Sequence, residues 1–191
     1  PKSRVGQNEV IGAHLFKKMG YLSPRTSITS LYLNNEKIHY VFQEEIAKEM
    51  LEHNNYTEGP LIEGNEIFKN KKVISAKIVN DKWSTLNQHN TRVSLNALKK
   101  INFHYLISTN SELDDHVADL NLYHNFFHED DYIGKSLYNE FEALSFATNG
   151  EHLLNRGDRK FYFDPVYGRF VPIYFDIRTD FKNLIFDKKI I

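Results

Sequence analysis

The sequence predicts an α+β fold, and three observations carry that prediction. One β-hairpin lies early in the chain, a second lies near its end, and the residues between them follow a mainly helical period. Strands grouped apart from helices indicate α+β, because an α/β chain would alternate the two regularly. The 191 residues suit one domain with a core of its own. Within it, residues 1–66 form an N-terminal hairpin-and-helix region, and residues 67–191 a helical region that carries the second hairpin.

The first element is a helix from about Asn8 to Met19. Val10, Ile11, His14, Leu15 and Met19 fall on one face, and Gly20 stands where a helix C-terminus is expected. Pro24 prevents helical continuation. Ser27 to Leu33 (SITSLYL) then alternates as a strand, Asn34 and Asn35 tolerate the positive φ of a tight turn, and Lys37 to Phe42 returns. From Gln43 the period changes. Ile46, Ala47, Met50 and Leu51 share a face, with Glu44, Glu45, Lys48, Glu49 and Glu52 around it. That pattern predicts an amphipathic helix whose acidic first turn suits the helix dipole.

The following segment, NNYTEGPLIEGNE, has two glycines, a proline and three acids, which predict an ordered loop. Val73 to Val79 reads as a short strand. Ser94 to Leu106, Leu113 to Phe127 and Ser136 to Thr148 read as helices, the last ended by Gly150. The second hairpin pairs Lys160–Phe163 with Phe170–Phe175 around a turn carrying Asp164, Pro165 and Gly168.

Composition removes several classes of function. A hydrophobic content of 41% with 14 Phe and 11 Tyr argues against disorder and for aromatic packing in the hairpins. The net charge of −1 gives no global attraction to nucleic acid or anionic lipid. The absence of cysteine excludes disulfides, zinc-thiolate sites and thiol catalysis, and leaves localisation open. No apolar run approaches the roughly 18 residues that span a bilayer. The chain opens at Pro1 rather than Met, as a segment of a longer protein would, with either a leader sequence or upstream strands outside it.

The chemistry is most concentrated between His152 and Asp176. An antiparallel hairpin brings Asp158, just before its first strand, and Asp176, just after its second, to the same end. Two converging carboxylates suit a hard cation such as Mg²⁺, and turn chemistry alone also explains both acids. The HNFFHEDD run places His124 and His128 one helical turn apart, but HExxH is absent and no third ligand can be named. There is no GxSxG elbow, GxGxxG or GxxxxGK[ST]. Glu44 and Glu45 stand where the first hairpin meets a helix, a place for acids that favour the dipole or that face a cleft. Glu58, Glu63 and Glu66 follow in the loop.

The segments LYLNNEKIHYVFQEEIAKEMLE, EGPLIEGNE and NRGDRKFYFDPVYGRFVPIYFD together resemble the spore-coat-protein-H (CotH) kinase-like family, whose members have an atypical protein-kinase fold. The resemblance implies two hairpin regions of a kinase-like domain that lacks its N-terminal strands here. It also implies ATP and Mg²⁺ as cofactors, phosphoryl transfer to protein hydroxyls, and a protein substrate or structural partner. Asp176 takes the place of the metal-binding Asp after the hairpin. Asp158 stands where relatives carry Asn, with an oxygen still to offer. Glu44 falls at the family's glutamate, at or near the nucleotide cleft. DFG and HRD are absent, and no Asp lies between His152 and Asn155 where a kinase has its base, which leaves His152 as the proton acceptor or positioning residue. Asp180 is a further oxygen donor. The same departures suit a non-catalytic kinase-like binding or assembly module.

Overall fold

Strand pairing divides the fold into two antiparallel sheets of very different character. The computed structural model describes residues 5–65, 75–109, 131–150, 152, 156–177, 179 and 181. The chain begins with α1 (Val5–Lys18), β1 (Thr26–Leu33), β2 (Glu36–Gln43), a short α2 (Lys48–His53) and β3 (Leu61–Gly64). There follow β4 (Ala76–Ile78), α3 (Asp81–Thr85), α4 (Gln88–Thr109) and α5 (Tyr132–Ala147). Behind a 3-10 turn at Arg156–Asp158 come β5 (Lys160–Asp164) and β6 (Arg169–Pro172). The class is α+β, as predicted.

Among the described residues the first sheet is β1 and β2 alone, paired without a bulge from Thr26–Gln43 to Leu33–Glu36. Asn34 (φ 49°) and Asn35 (φ 65°) both adopt the left-handed conformation that a two-residue hairpin turn requires. The second sheet runs β4-β3-β5-β6, all antiparallel. In its hairpin turn, Asp164 accepts from the backbone N–H groups of Val166 (2.8 Å) and Tyr167 (3.2 Å), and Gly168 takes a φ of 65°.

Several expectations need correction. The segment read as a loop supplies β3, whose Leu61 and Ile62 are fully buried between β4 and β5. Pairing on both sides overrides the local turn signals of Gly59, Pro60 and Gly64. The helix expected from Gln43 starts at Lys48, because Glu44 continues the antiparallel pairing by donating its N–H to the Arg25 carbonyl (2.9 Å). The second strand of the late hairpin ends at Pro172. Ile173 keeps one hydrogen bond to Lys160 while it and Tyr174 meet Leu22, with a parallel bridge and a 2.9 Å hydrogen bond from the Tyr174 N–H to the Leu22 carbonyl.

The apolar face assigned to α1 is not the buried one. Ile11 and Met19 are exposed, whereas Glu9, Gly12, Ala13 and Phe16 point inward. A Cβ at position 12 would collide with the Tyr174 hydroxyl, so close approach of an aromatic side chain to bare backbone decides which face turns in. The helix predicted over Leu113 to Phe127, His124 and His128, Glu66, Asn155 and Asp180 lie outside the described residues.

Among the described residues, buried side chains form three clusters. Ile62, Ile101, Tyr105, Phe161 and Phe170 pack α4 on the larger sheet. Leu22, Met50, Leu51, Leu61 and Tyr162 pack α2 on the sheet's other side. Phe16, Tyr21, Phe141 and Tyr174 join α1, α5 and the segment after β6, with ring centroids 4.7–5.8 Å apart. The third cluster positions the site.

Candidate functional site

The segment after β6 crosses α1 and is fastened to it at three levels. Tyr174 is fully buried, and its hydroxyl donates to the Glu9 carbonyl at 3.4 Å. The Thr179 hydroxyl donates to the Asn8 carbonyl at 3.1 Å. Gly12 leaves the space that the Tyr174 ring fills. Burial, reinforced by the neighbouring charge of Glu9, pushes the Tyr174 hydroxyl far above its ordinary pKa, so it stays a neutral hydrogen-bond donor.

Between these fastenings lies Asp176, whose φ of 46° is left-handed. Aspartate tolerates that conformation better than most residues, and such positions concentrate at functional sites. Its carboxylate is half-exposed, and Oδ2 stands 4.0 Å from His152 Nδ1. The His152 backbone N–H donates to the Ile177 carbonyl at 3.3 Å, which docks the loop after α5 against the same segment.

The third member was not singled out by sequence. Glu9 is 6% exposed; its Oε1 accepts from Gln43 Nε2 at 3.2 Å, and among the described residues its buried Oε2 has no partner within full hydrogen-bond geometry. Burial raises its pKa above the ordinary value of 4.5, and the charge of Asp176 raises it further. The Gln43 and Tyr174 side chains and the Asp176 backbone offset this only in part. A buried carboxylate beside a second carboxylate is a place that a cation would stabilise. The signal in the sequence was an acid four residues before Ala13 and seven before Phe16, on the stripe that turns inward.

Asp158 closes the 3-10 turn before β5. The β5–β6 register, continued by the Ile173 N–H donating to the Lys160 carbonyl (3.0 Å), brings the stretches holding Asp158 and Asp176 to one end of the hairpin. Their carboxylate oxygens are the donor type that a hard cation takes. Among the described residues, no group of three or more His, Asp and Glu side chains could hold a metal ion.

Glu44 is placed apart from this cluster although it follows Gln43. Its Oε2 accepts from the Arg25 backbone N–H (3.0 Å), and its Oε1 from Arg25 Nε (3.1 Å) and Nη2 (2.6 Å). His53 Nδ1 lies 3.1 Å from Oε2. Burial alone would raise its pKa, but the Arg25 hydrogen bonds and the His53 and Arg25 charges outweigh burial and lower it. The carboxylate thus ties the base of the β1–β2 hairpin to α2. Glu63, on β3, sits between Lys160 (2.5 Å) and Lys77 (3.0 Å) as a cross-strand ion-pair ladder. Glu58 lies 3.8 Å from Lys48.

No protein-family model matches the chain, and no curated protein matches its sequence. Among the described residues, no helix is long and apolar enough to cross a membrane.

Proposed function

We propose that the chain belongs to an ATP- and Mg²⁺-dependent phosphotransferase domain of the CotH kinase-like type, acting on protein hydroxyls. The observation that carries this assignment is Asp176, whose left-handed backbone sets its carboxylate 4.0 Å from His152 and beside the buried carboxylate of Glu9. Protein kinases pair a helix glutamate with a phosphate-clamping lysine and place a metal-holding Asp after a hairpin. Glu9 on α1 and Asp176 after the β5–β6 hairpin stand in those two roles, and among the described residues no lysine pairs with Glu9. This moves the role first expected of Glu44 to Glu9, since Arg25 and His53 already engage Glu44. Asp158 and Asp176 would hold the Mg²⁺ that neutralises phosphate charge during transfer.

A nucleotide-binding module without transfer is the second reading, favoured by the position of His152. The only assigned proton acceptor neighbours the metal-holding Asp176, rather than standing apart from it where a substrate hydroxyl would arrive.

Thermal melting with Mg²⁺-ATP tests the assignment. Ligand at about 100 times Kd should raise Tm by roughly 5 °C or more, and Asp176→Asn should abolish the shift. A flat response in the unsubstituted chain refutes nucleotide binding altogether. A shift without phosphate transfer to any protein supports the second reading.

A further inference from the structure

We propose that the β1–β2 hairpin is a dimerisation element, and that two copies of this chain stack their hairpins face to face. The inference is independent of the phosphotransferase assignment. In the β1–β2 register, Thr26, Ile28, Ser30 and Tyr32 share one face with Lys37, His39, Val41 and Gln43. This is the α1 face: Gln43 reaches Glu9, and a Cβ at Gly6 would collide with Val41. The opposite face carries Leu31, Leu33, Ile38, Tyr40 and Phe42. Period-two alternation thus gathers large apolar side chains on the side with nothing packed on it among the described residues, the reverse of what a sheet buried on one face shows.

Leu31, Leu33, Tyr40 and Phe42 are 50%, 59%, 48% and 56% exposed. With full side-chain areas of about 200 Å² each, they leave roughly 400 Å² of apolar surface bare on one copy, at the scale of a functional patch. Two such faces supply roughly 800 Å² before Ile38, Ser27 and Thr29 are added, which approaches the roughly 1,000 Å² of a specific interface.

A second copy fits the charge pattern of this face as well as its area. At the root of this face Arg25 and Glu44 neutralise each other through an ion pair at 2.6 Å, which leaves Glu36 at the tip as the charge between root and tip. Antiparallel stacking about a two-fold axis keeps the two Glu36 carboxylates at opposite ends of the interface and lays apolar side chains on apolar side chains. A lone two-stranded hairpin is marginal in water, and a second apolar face stacked on it supplies the burial that it lacks.

Sedimentation equilibrium across a wide concentration range tests this. The chain should self-associate to a dimer, and Leu31→Lys with Tyr40→Lys should weaken dimerisation by roughly 100-fold or more with an unchanged circular dichroism spectrum. Both side chains are exposed in the monomer, so folding is not at stake. Because the chain has no cysteine, Thr29→Cys on the apolar face should cross-link on oxidation while Ser30→Cys on the α1 face should not. A monomer at every concentration overturns the proposal. So does a dimer indifferent to the two lysines, or equal cross-linking from both cysteines.

Discussion

The two hairpins of this protein use the same local devices and meet opposite fates. Each has alternating aromatic or β-branched residues and a turn with positive-φ positions. The β5–β6 hairpin is buried on both faces: β3 pairs with its edge, α4 covers one side, and α2 with Leu22 covers the other. The β1–β2 hairpin has α1 against one face and exposes nearly every residue. A strand pattern specifies pairing with a neighbour in sequence, but burial depends on distant elements arriving. Glu9 is the point where the two hairpins communicate, because its carboxylate meets Gln43 at the end of β2 and Asp176 beyond β6.

The largest expected difference is in core truncation. Phe170 is fully buried and packs edge-on against Phe161 and Phe163 at centroid distances of 6.0 and 5.0 Å. Phe170→Ala should cost about 3–5 kcal/mol in urea denaturation. Leu31→Ala, in dilute monomeric protein, should change stability by no more than about 0.5 kcal/mol. Equal losses would remove the contrast between the hairpins.

A smaller effect is expected at the base of the early hairpin. Glu44→Ala strips partners from the Arg25 backbone N–H and guanidinium and should cost on the order of 1–2 kcal/mol at pH 7. Because the folded pKa of Glu44 is lowered, its contribution is present above the ordinary value of 4.5 and is lost as pH falls through the folded value. The mutant and parent stability curves should therefore converge in acid. A pH-independent gap would assign the loss to packing.

Glu9 should behave with the opposite sign. Its folded pKa is raised, so the stability linked to its proton is complete below 4.5 and is lost as pH rises through the folded value. Glu9→Gln should gain on the order of 1 kcal/mol at neutral pH and nothing in acid, read from denaturation midpoints across pH. A destabilised Glu9→Gln at pH 7 would show that a cation already compensates the carboxylate.

Sequence alone determined the elements whose signals are local. Both hairpins were legible because their turn residues and period-two alternation lie within about a dozen positions, and α1, α4 and α5 because their apolar spacing repeats. That the stretches holding Asp158 and Asp176 lie at one end of the late hairpin follows from antiparallel pairing, so this much is legible from the order of residues alone.

Tertiary structure decided the rest, for identifiable reasons. Leu61–Gly64 is too short and too flanked by turn residues to announce itself, and it becomes a strand because β4 and β5 satisfy its backbone on both edges. Glu44 left the predicted helix because Arg25, nineteen residues earlier, offers a backbone N–H and a guanidinium to its carboxylate. Glu9 was hidden because the inward face of α1 is set by how closely Tyr174 approaches Gly12, a contact between residues more than 160 positions apart. Periodicity fixes which residues share a face; only the shape and charge of what arrives from elsewhere in the chain decides which face is buried.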